Sequence, residues 1–558
     1  MAAPPIPSAL DASTQTFPVL TQTQIDRLLP HGKVRKVEVG DILFEPGDTS
    51  VPFFVLLSGS MDILQPDLHG ERLIVTHNVA GHFTGELTMI SGRRVLVLGR
   101  VTAPGEFLEL SADELRSVIA KDAELSEILM RAFILRRLAL ISKGYGNLIL
   151  MGSRHSAQTL RLREFLTRNG QPYTYVDLDT DAASQELLDR FHVTVDEIPV
   201  VICSSRNVMR NPSVQELADC LGFNAVVDES QIHDVVVVGA GPSGLAAAVY
   251  AASEGLDVLV IETAAPGGQA GSSSKIENYL GFPTGVSGQE LANRATTQAL
   301  KFGAKMMVAH SVSRLECDKR PYKVVLDNGT ALATRSIVIS SGAQYNKPKI
   351  AHLTKFEGQG VYYGATFMES QLCGGEDVIV VGGGNSAGQA AVYMSQAARK
   401  VYMLVRAGEL ASTMSRYLIQ RIEENPAIEL RYKTEIVGMD GDTHLEGVTW
   451  KDNATGETSK HPIRHVFVMT GASPRTDWLA GCLALDSKGF ILTGRDFSDG
   501  AAQKSVWPLV RPPFMLETSL PGVFAVGDVR AGNVKRVASA VGEGAISIHM
   551  VHQVLAEA

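Results

Sequence analysis

Cysteine is scarce in this chain, with five among 558 residues, and no two are spaced as a CxxC motif. Zinc knuckles and CxxC redox turns need that spacing, so the sequence excludes both. We expect isolated thiols at Cys203, Cys220, Cys317, Cys373 and Cys482. Histidine and acidic residues also lack a metal-ligand spacing such as HExxH, so we expect no metal site.

Positive charge and long apolar runs are lacking as well. The net charge of −9 argues against a nucleic-acid partner, because proteins that bind a phosphate backbone concentrate Lys and Arg. The longest apolar runs, such as residues 235–238, have the length of a strand and end in glycine, and the first residues do not form a basic and then apolar leader. These absences predict a soluble cytoplasmic protein with no membrane segment.

A dinucleotide-binding pattern occupies residues 233–262, HDVVVVGAGPSGLAAAVYAASEGLDVLVIE. An apolar strand, a glycine turn, an alanine-rich helix and a second strand ending in an acid follow one another, as in a βαβ unit. Gly239 allows the tight turn, Gly241 lets the backbone approach a pyrophosphate, and Gly244 permits close packing of helix on strand. Glu262 is placed to accept ribose hydroxyls. The predicted turn also includes Pro242 and Ser243.

The same order recurs in residues 376–406, EDVIVVGGGNSAGQAAVYMSQAARKVYMLVR. The residues predicted to bind the second dinucleotide in this turn are Gly382, Gly384, Asn385, Ser386 and Ala387. Arg406 falls near the position of Glu262, and a guanidinium there favours NADPH over NADH by pairing with the 2′-phosphate. Arg416 and Arg421 follow on a predicted helix, where they either join this cluster or form a solvated basic face.

These two motifs, over about residues 232–556, resemble the low-molecular-weight thioredoxin reductases. Residues 265–283 (APGGQAGSSSKIENYLGFP) match the family's GGQ and ENxxGFP segments, and residues 521–544 (PGVFAVGDVRAGNVKRVASAVGEG) match its second flavin motif. The resemblance implies an FAD domain that is split by an NADPH domain inserted between about Gly342 and Gly471. The further FAD contacts that it implies are Gly268, Gln269, Asn278, Gly527, Asp528, Arg536, Val537 and Ala538.

The redox dithiol of that family is replaced in this chain. In residues 361–367 (VYYGATF), Gly364 and Phe367 stand where the two cysteines are expected. Dithiol transfer needs one thiol to attack and a second to resolve the mixed disulfide. We therefore identify no catalytic residue, take Cys373 as an ordinary thiol, and expect electrons to leave the flavin by another route.

Residues 146–205 alternate strand and helix and resemble a glutaredoxin-like thioredoxin fold. The turn that carries the CxxC in that family reads Ser153, Arg154, His155 and Ser156 here, and Pro199 matches the family's cis-proline. Two interpretations stay open for a domain that keeps this fold without thiols. It either serves docking and structure, or it is a small α/β spacer.

Residues 20–110 alternate strand-like runs with Gly, Asp and Pro turns and resemble the β-roll of cyclic-nucleotide-binding domains. Gly85 and Glu86 match the GE dipeptide of the phosphate cassette, and Arg93 or Arg94 falls near its arginine. The spacing is short, however, and Val95 replaces the usual small polar residue. The roll is therefore either an effector site for a cyclic nucleotide or a regulatory or dimerising domain that binds none.

A helix is predicted after the roll, with Ile128, Ala132, Leu135 and Leu138 on one face. This stripe either packs on its own domain or forms the seam of a homodimer, which is the oligomer that the resemblance implies.

Together these patterns predict a multidomain protein with a β-roll, a thioredoxin-like α/β domain and two Rossmann-like α/β domains. The predicted boundaries are 1–145 for the roll and its helices, 146–228 for the thioredoxin-like domain, 229–345 and 471–558 for the FAD domain, and 346–470 for the NADPH domain. We predict an oxidoreductase that passes hydride from NADPH to FAD and on to an external acceptor. The acceptor is a ferredoxin or similar carrier, a small molecule or oxygen, or a thioredoxin-like partner that brings its own dithiol. The alternative of another class is a redox or cyclic-nucleotide sensor without catalysis.

Overall fold

A computed structural model describes residues 15–48, 51–66, 72–85, 94–142, 148–154, 156–179, 194, 197–203, 207–224, 228–273, 275–363, 365, 370, 373–479, 481–497 and 507–557. Among these residues, every helix is too short or too polar to cross a lipid bilayer. The described residues form four units, which are named below by their positions.

Within the described residues, the N-terminal β-roll (residues 15–142) has two antiparallel sheets and three α-helices of at least seven residues. Its strands are β1 (Lys33–Val37), β2 (Ile42–Phe44), β3 (Phe53–Leu56), β4 (Ser60–Pro66), β5 (Arg72–Val79), β6 (Leu98–Ala103) and β7 (Gly105–Leu110). Its helices are α1 (Gln22–Leu28), α2 (Ala112–Lys121) and α3 (Ala123–Ser142). The strand orders are β1-β7-β3 and β2-β6-β4-β5. The rings of Phe53, Phe83 and Phe133 pack with centroids 5.7 to 6.3 Å apart and fix α3 on the roll.

The buried face of α3 differs in part from the predicted stripe. Its fully buried residues include Leu125, Leu129, Ala132 and Phe133, which pack in the core of the β-roll. Of the predicted stripe, Ala132 is buried and Ile128 packs at the edge of that core. The side chain of Leu138 lies outside the described residues. The predicted helix is thus confirmed, and its core-facing side is rotated towards Phe133.

Two neighbouring arginines near the end of α3 form hydrogen bonds with two different domains. Arg136 is buried, and its Nη1 donates to the carbonyl oxygens of Phe83 (3.1 Å) and Gly85 (2.8 Å) in the roll. Arg137 donates from Nη2 to the carbonyl oxygen of Gly170 (2.8 Å) in the next domain. Helix α3 therefore ties the roll to the domain that follows it.

The small α/β domain (residues 148–224) is built on one four-stranded sheet. Its elements are β8 (Leu148–Gly152), α4 (Ala157–Arg168), β9 (Thr174–Asp177), β10 (Val200–Cys203), β11 (Asn207–Arg210) and α5 (Val214–Cys220). The strand order is β11-β10-β8-β9, in which only β8 and β9 are parallel. The helix predicted between β9 and β10 lies outside the described residues. The Ile198–Pro199 bond is cis, and a Cβ on Gly152 would lie 3.1 Å from the Pro199 Cβ.

The split α/β domain begins at residue 228 and follows the predicted βαβ pattern. The elements of its first part are β12 (Ile232–Val238), α6 (Pro242–Ser253), β13 (Val258–Glu262), α7 (Gly268–Gly271), α8 (Gly288–Lys301), β14 (Lys305–Val308), β15 (Val312–Glu316), β16 (Tyr322–Leu326) and β17 (Ala331–Ile339). The sheet order is β14-β13-β12-β17-β16-β15. Strands β12, β13, β14 and β17 run parallel to one another. Strands β15, β16 and β17 form an antiparallel meander.

The inserted α/β domain (residues 346–470) interrupts the split domain. Two short strands, β18 (Ala343–Tyr345) and β27 (Ala472–Pro474), pair antiparallel and connect the two domains. The elements between them are β19 (Val361–Tyr362), β20 (Asp377–Val381), α9 (Asn385–Met394), β21 (Lys400–Val405), α10 (Arg416–Glu423), β22 (Ile428–Tyr432), β23 (Thr434–Asp440), β24 (Gly447–Asp452), β25 (Thr458–His461) and β26 (His465–Val468). A parallel sheet of order β19-β26-β20-β21-β22 carries an antiparallel sheet of order β23-β24-β25 beside it.

The last part of the chain completes the split domain. Strand β28 (Val523–Ala525) pairs parallel with β17, and helix α11 (Val537–Glu557) packs against α6. The apolar core that these elements form is continuous with that of the small α/β domain, since Phe165 and Leu217 share one buried cluster with Val235 and Val551. The small α/β domain is therefore packed firmly on the split domain.

A disulfide between Cys317 and Cys482 joins the two parts of the split domain. Cys203, Cys220 and Cys373 remain thiols. The prediction of isolated thiols is thus confirmed for these three cysteines and wrong for Cys317 and Cys482. It considered only spacing along the chain, whereas the partners of the disulfide are 165 positions apart and meet through the fold.

Removal of this disulfide is expected to destabilise the split domain. The bond closes a loop that contains the entire inserted domain, and long loops lose much conformational entropy on closure. We expect the Cys317→Ser/Cys482→Ser variant to lose about 2–5 kcal/mol of unfolding free energy. Urea unfolding with and without reductant measures this loss. The wild type in reductant should coincide with the variant, and equal stability of the oxidised wild type and the variant would contradict the prediction.

Candidate functional site

The first glycine turn joins β12 to α6 and leaves room for a phosphate group. Gly239 has a φ of +102°, and its N–H donates to the Ile261 carbonyl oxygen (2.8 Å). A Cβ on Gly244 would lie 1.9 Å from the Gly239 carbonyl oxygen, so only glycine lets α6 pack this closely. A Cβ on Gly241 would meet nothing nearer than 4.0 Å. The open side of Gly241 can therefore receive a pyrophosphate at the start of α6.

Glu262 ends β13 with its carboxylate buried beside this turn. Its Oε2 accepts a hydrogen bond from the N–H of Ala240 (2.8 Å), and its Oε1 accepts one from the N–H of Ala264 (3.0 Å). Each carboxylate oxygen retains acceptor capacity for a ribose hydroxyl. The residue thus fits the ribose of an adenine dinucleotide.

A second loop, ahead of α11, lies against the first turn of α6. A Cβ on Gly527 would lie 2.6 Å from the Ser243 Oγ, and the N–H of Gly527 donates to Glu543 Oε2 (2.6 Å). Glu543 also accepts a hydrogen bond from Arg530 (2.6 Å) and so holds the loop in place. Burial raises the pKa of the Asp528 carboxyl in this loop. A buried acceptor of this kind suits a polyol chain, whose hydroxyls can donate to it.

The raised pKa of Asp528 makes the stability of the FAD-free protein depend on pH. Because the folded chain holds this proton to higher pH than the unfolded chain does, the stabilisation is lost as pH rises through the folded pKa. We expect FAD-free Asp528→Asn to be more stable than the wild type at neutral pH. The difference should vanish below the unfolded pKa of about 4. Urea unfolding across this pH range measures it, and a difference that does not change with pH would refute the assignment.

The second glycine turn joins β20 to α9 in the same way. Gly382 has a φ of +143° and donates its N–H to the Leu404 carbonyl oxygen (3.0 Å). A Cβ on Gly382 would lie 3.1 Å from the Cβ of Ala387, which is buried at the helix-packing position. The Asn385 side chain accepts a hydrogen bond from the N–H of Ser415 (2.8 Å) and fixes the start of α9.

One cavity of about 1010 Å³ joins the two turns. The first turn of α6, with Pro242 and Ser243, lines it, and so does the first turn of α9, with Asn385 and Ser386. Helix N-termini present N–H groups and a positive dipole end to phosphates. The cavity can therefore receive two dinucleotides next to each other, as hydride transfer between them requires.

The family profile of pyridine nucleotide-disulphide oxidoreductases matches residues 233–544, which is more than half of the chain. The chain belongs to this family. It is similar to the thioredoxin reductase of Mycolicibacterium smegmatis, with 32% identity over 314 residues that cover 56% of this chain and 93% of the relative. It is also similar to the thioredoxin reductase of Treponema pallidum, with 33% identity over 318 residues, 57% of this chain and 95% of the relative.

Solved structures of thioredoxin reductases share this fold. The Lactococcus lactis enzyme has 26% identity and a TM-score of 0.52, covering 58% of this chain and 100% of the other. The T. acidophilum enzyme has 28% identity and a TM-score of 0.51, covering 57% and 98%. Membership of the family confirms the predicted FAD-dependent oxidoreductase, with FAD and NADPH as its cofactors.

A second family profile, that of the cyclic nucleotide-binding domain, matches residues 34–122. The profile covers all seven strands of the β-roll except the start of β1. The predicted resemblance of the N-terminal domain is thereby confirmed.

Most of the predicted FAD residues of this oxidoreductase border the cavity. Those that line it are Gly239, Gly241, Pro242, Ser243, Glu262, Gly268, Gln269, Asn278, Asp528, Arg536 and Val537. Gly244 and Gly527 lie behind the wall, where they set the path of the backbone. Ala538 is exposed on α11 and is not among the lining residues, whereas Ala540 lines the cavity in its place. The periodicity of the helix explains this difference, because Val537 and Ala540 are three positions apart and lie on one face.

The predicted NADPH residues are divided between the cavity and the surface. Asn385 and Ser386 line the cavity, while Arg406 and Arg416 are exposed outside its lining. The three small residues that shape the turn behind them are Gly382, Gly384 and Ala387. Arg421 forms an ion pair with Glu277 of the split domain (2.9 Å), so this arginine links the two domains.

Arg406 lies one residue beyond the true counterpart of Glu262. The tight-turn glycine of each βαβ unit donates to a strand carbonyl, which belongs to Ile261 in the first unit and to Leu404 in the second. The residues that follow these carbonyls are Glu262 and Val405. Arg406, predicted near the position of Glu262, is thus the residue next to it. Because Val405 is apolar, no carboxylate stands there to repel a 2′-phosphate, and the adjacent guanidinium remains at the strand end.

The segment predicted to stand in place of the dithiol is described only at its edges. Gly364 and Phe367 lie outside the described residues. Just before them, Tyr363 donates a hydrogen bond to Glu357 (2.7 Å), and burial raises the pKa of its phenol. Just after them, Cys373 is fully buried in the core of the inserted domain. Burial keeps this sulfur away from solvent, which favours the prediction of an ordinary thiol.

The predicted cassette residues of the β-roll are only partly described. Glu86 and Arg93 lie outside the described residues. Arg94 donates from Nη1 to the Gly47 carbonyl oxygen (3.0 Å), and its Cγ would lie 3.3 Å from a Cβ on Gly222 of the small α/β domain. The guanidinium of Arg94 is thus engaged at a domain boundary.

Sequence motifs missed the cavity residues that come from other segments of the chain. These residues include Arg161, Glu164, Arg168, His310, Tyr417 and Trp478. They reach the cavity through packing between domains, which no local pattern encodes. One signal was available, because α4 carries Arg161, Glu164 and Arg168 on one polar face.

Proposed function

We propose that this family member oxidises NADPH, reduces its own FAD and passes the electrons to an external acceptor without an internal dithiol. The observation that carries the proposal is the single cavity into which the first turns of α6 and α9 both open. The absence of any CxxC pair from the sequence supports the second half, because a thiol relay needs two neighbouring thiols.

The roles proposed for the chain's residues follow from their positions. Gly241 and the N–H groups of α6 bind the pyrophosphate of FAD, and Glu262 accepts its ribose hydroxyls. Asp528 accepts hydroxyls of the ribityl chain. The start of α11, at Arg536 and Val537, faces the pyrimidine edge, where its dipole stabilises negative charge. When bound, FAD supplies the hydride-accepting ring system.

Rapid mixing of the FAD-loaded protein with NADPH under anaerobic conditions tests the first half of the proposal. We expect flavin absorbance to bleach within milliseconds, and bleaching over many minutes would support the alternative of a sensor without catalysis. The reduced protein is then mixed with a ferredoxin, with oxygen, with a quinone and with oxidised thioredoxin. Reoxidation by one acceptor at a rate comparable to flavin reduction identifies the output.

A cysteine variant separates a thiol-free output from a hidden thiol relay. Cys373 is the cysteine nearest in sequence to the replaced dithiol segment. We expect Cys373→Ala to transfer electrons to the identified acceptor at the rate of the wild type. A large loss of acceptor reduction, with flavin reduction by NADPH retained, would show that Cys373 carries electrons.

We also propose that the small α/β domain is thioredoxin-like and serves docking rather than redox transfer. Its strand order and the position of Pro199 beside Gly152 support the resemblance. In the turn that would hold the thiols, Ser153 donates to Asp179 (2.8 Å) and Arg154 pairs with Asp177 (3.3 Å). These polar contacts stabilise the turn but supply no nucleophilic sulfur.

For the β-roll, we propose that it is either an effector site for a cyclic nucleotide or a regulatory or dimerising domain that binds none. If it binds a cyclic nucleotide, Glu86 accepts the ribose hydroxyl and Arg93 pairs with the phosphate, because Arg94 is engaged with Gly47. Calorimetry with cyclic AMP and cyclic GMP decides between the two. Heat that disappears in Arg93→Ala but not in Arg94→Ala supports the cassette. Absence of heat at millimolar ligand supports a regulatory roll that binds no nucleotide.

The domain boundaries, the homodimer and the cytoplasmic location that the sequence predicts are also proposals. Pairing of β18 with β27 supports the insertion of the NADPH domain between about residues 342 and 471. Light scattering on the purified protein tests the dimer, and cell fractionation tests the location.

A further inference from the structure

The small α/β domain is anchored to the strand ends that form the adenosine half of the FAD site. Arg168, at the end of α4, donates from Nη2 to the Gly268 carbonyl oxygen (3.2 Å). The neighbouring Asn169 donates to the carbonyl oxygen of Ala264 (3.3 Å), whose own N–H holds the Glu262 carboxylate. On the other side, Gln289 of α8 donates to the Arg168 carbonyl oxygen (2.7 Å). The end of α4 is therefore fixed to this site at three points.

Helix α4 also forms one wall of the shared cavity along its length. Its lining residues are Ala157, Leu160, Arg161, Glu164 and Arg168, which share one helical face. The opposite face, with Leu162, Phe165 and Leu166, is buried in the core shared with the split domain. At the other end of the helix, the Ala157 Cβ would lie 3.8 Å from a Cβ on Gly358. Because its apolar face is buried in that core, α4 has a fixed orientation.

The guanidinium of Arg168 lies next to the pyrophosphate turn. Its partner Gly268 is packed on Gly241, since a Cβ on Gly268 would lie 3.0 Å from the Gly241 Cα. Within the described residues, the buried Nε of Arg168 has no hydrogen-bond partner. The Nη1 of Arg168 pairs with the carboxylate of the more exposed Glu164, at 3.5 Å. A guanidinium that lines the cavity thus stands beside backbone N–H groups that already favour a phosphate.

We propose that Arg168 of the small α/β domain is an FAD-binding residue whose guanidinium pairs with the pyrophosphate, so that this domain is part of the flavin site. This inference rests on the placement of FAD in the proposed function. It gives this domain, which has no CxxC turn, a task that needs its fold and not its chemistry. A guanidinium adds charge-assisted hydrogen bonds that the glycine turn cannot supply from its backbone.

The test is FAD titration of the FAD-free protein carrying Arg168→Gln. Glutamine removes the charge but keeps an N–H donor for the Gly268 carbonyl, so the anchoring of α4 is retained. We expect the Kd for FAD to rise about tenfold, as is typical of losing one charge-assisted hydrogen bond. The Kd for ADP, which carries a pyrophosphate, should rise equally, and that for riboflavin, which carries none, should stay unchanged. The dependence of the FAD Kd on salt should also weaken.

The matched control is Arg163→Gln on the same helix. Arg163 stacks over the Tyr175 ring, 4.2 Å from its centroid, inside the small α/β domain. The Arg163→Gln variant should therefore have the wild-type Kd for FAD, for ADP and for riboflavin. The proposal is overturned if Arg168→Gln binds FAD within twofold of the wild type, if both variants weaken binding equally, or if riboflavin binding weakens as much as ADP binding.

This inference and the proposed function fail in different measurements. If NADPH does not reduce the flavin of the wild-type protein, the proposed function fails, whatever the affinity of the variants for FAD. If the wild-type flavin is reduced but the Arg168→Gln titration matches the wild type, only the role of Arg168 is lost.

Discussion

The Gly241→Asp variant is expected to fold but to purify without FAD. The φ of Gly241 is −70°, which any residue adopts, and the space around its open side admits a side chain. An aspartate there would occupy the position proposed for the pyrophosphate and oppose it with a negative charge. We expect the Kd for FAD to rise by about 100-fold or more, which corresponds to about 2.7 kcal/mol. Flavin content after purification and titration with FAD measure the effect.

The control for this variant adds the same carboxylate elsewhere. Gly438 lies in β23 of the inserted domain, where an added Cβ would make ordinary contact with Thr449 at 3.5 Å. Gly438→Asp should retain FAD at the wild-type level. If Gly241→Asp also retained its flavin, the dinucleotide would not cross this turn, and the placement of FAD in the cavity would be wrong.

The Arg406→Ala variant is expected to lose its preference for NADPH. The preference needs a group that stabilises the 2′-phosphate, and Arg406 stands at the end of β21 beside the apolar Val405. Loss of a charge-assisted pair costs about 1.5–3 kcal/mol, so kcat/KM for NADPH should fall by about 10- to 100-fold. The value for NADH, which lacks the phosphate, should change little. Steady-state kinetics with both nucleotides measure the ratio.

Arg399 provides the control for this experiment. It lies just before β21, at the opposite end from Arg406, and pairs with Asp377 (2.8 Å). Arg399→Ala should keep the ratio of kcat/KM for NADPH to that for NADH. An unchanged ratio in Arg406→Ala would mean that another cation binds the 2′-phosphate. Arg416 at the start of α10 would be the next residue to test.

The parts of the molecule that sequence predicted well are those encoded by neighbouring residues. Each βαβ unit places its strand, turn and helix within about 30 residues, and steric demands at Gly239, Gly244 and Gly382 leave glycine as the only solution. The β-roll is similarly marked by short strands between turn residues. For this reason the sequence alone predicts both dinucleotide turns and the N-terminal domain.

The parts that sequence missed depend on contacts between distant segments. Cys317 and Cys482 meet only because β15 and the last part of the chain share one domain. Arg168 reaches the cavity only because Phe165 and its neighbours bury the opposite face of α4 against the split domain. The counterpart of Glu262 in the second unit is Val405, and Arg406 is its neighbour. The hydrogen bond from Gly382 to Leu404 shows it directly.

The insertion of one domain into another also sets the order in which this protein can mature during translation. Strand β28 and helix α11 belong to the last residues of the chain, yet they complete the sheet and cover α6 in the domain that begins at residue 228. Domains generally fold as they emerge from the ribosome, beginning with the N-terminal one. The inserted domain can therefore form while its host is still open. We therefore expect flavin acquisition to be a late event in biogenesis, and a chain truncated before residue 523 to contain the whole inserted domain but an unfinished split domain.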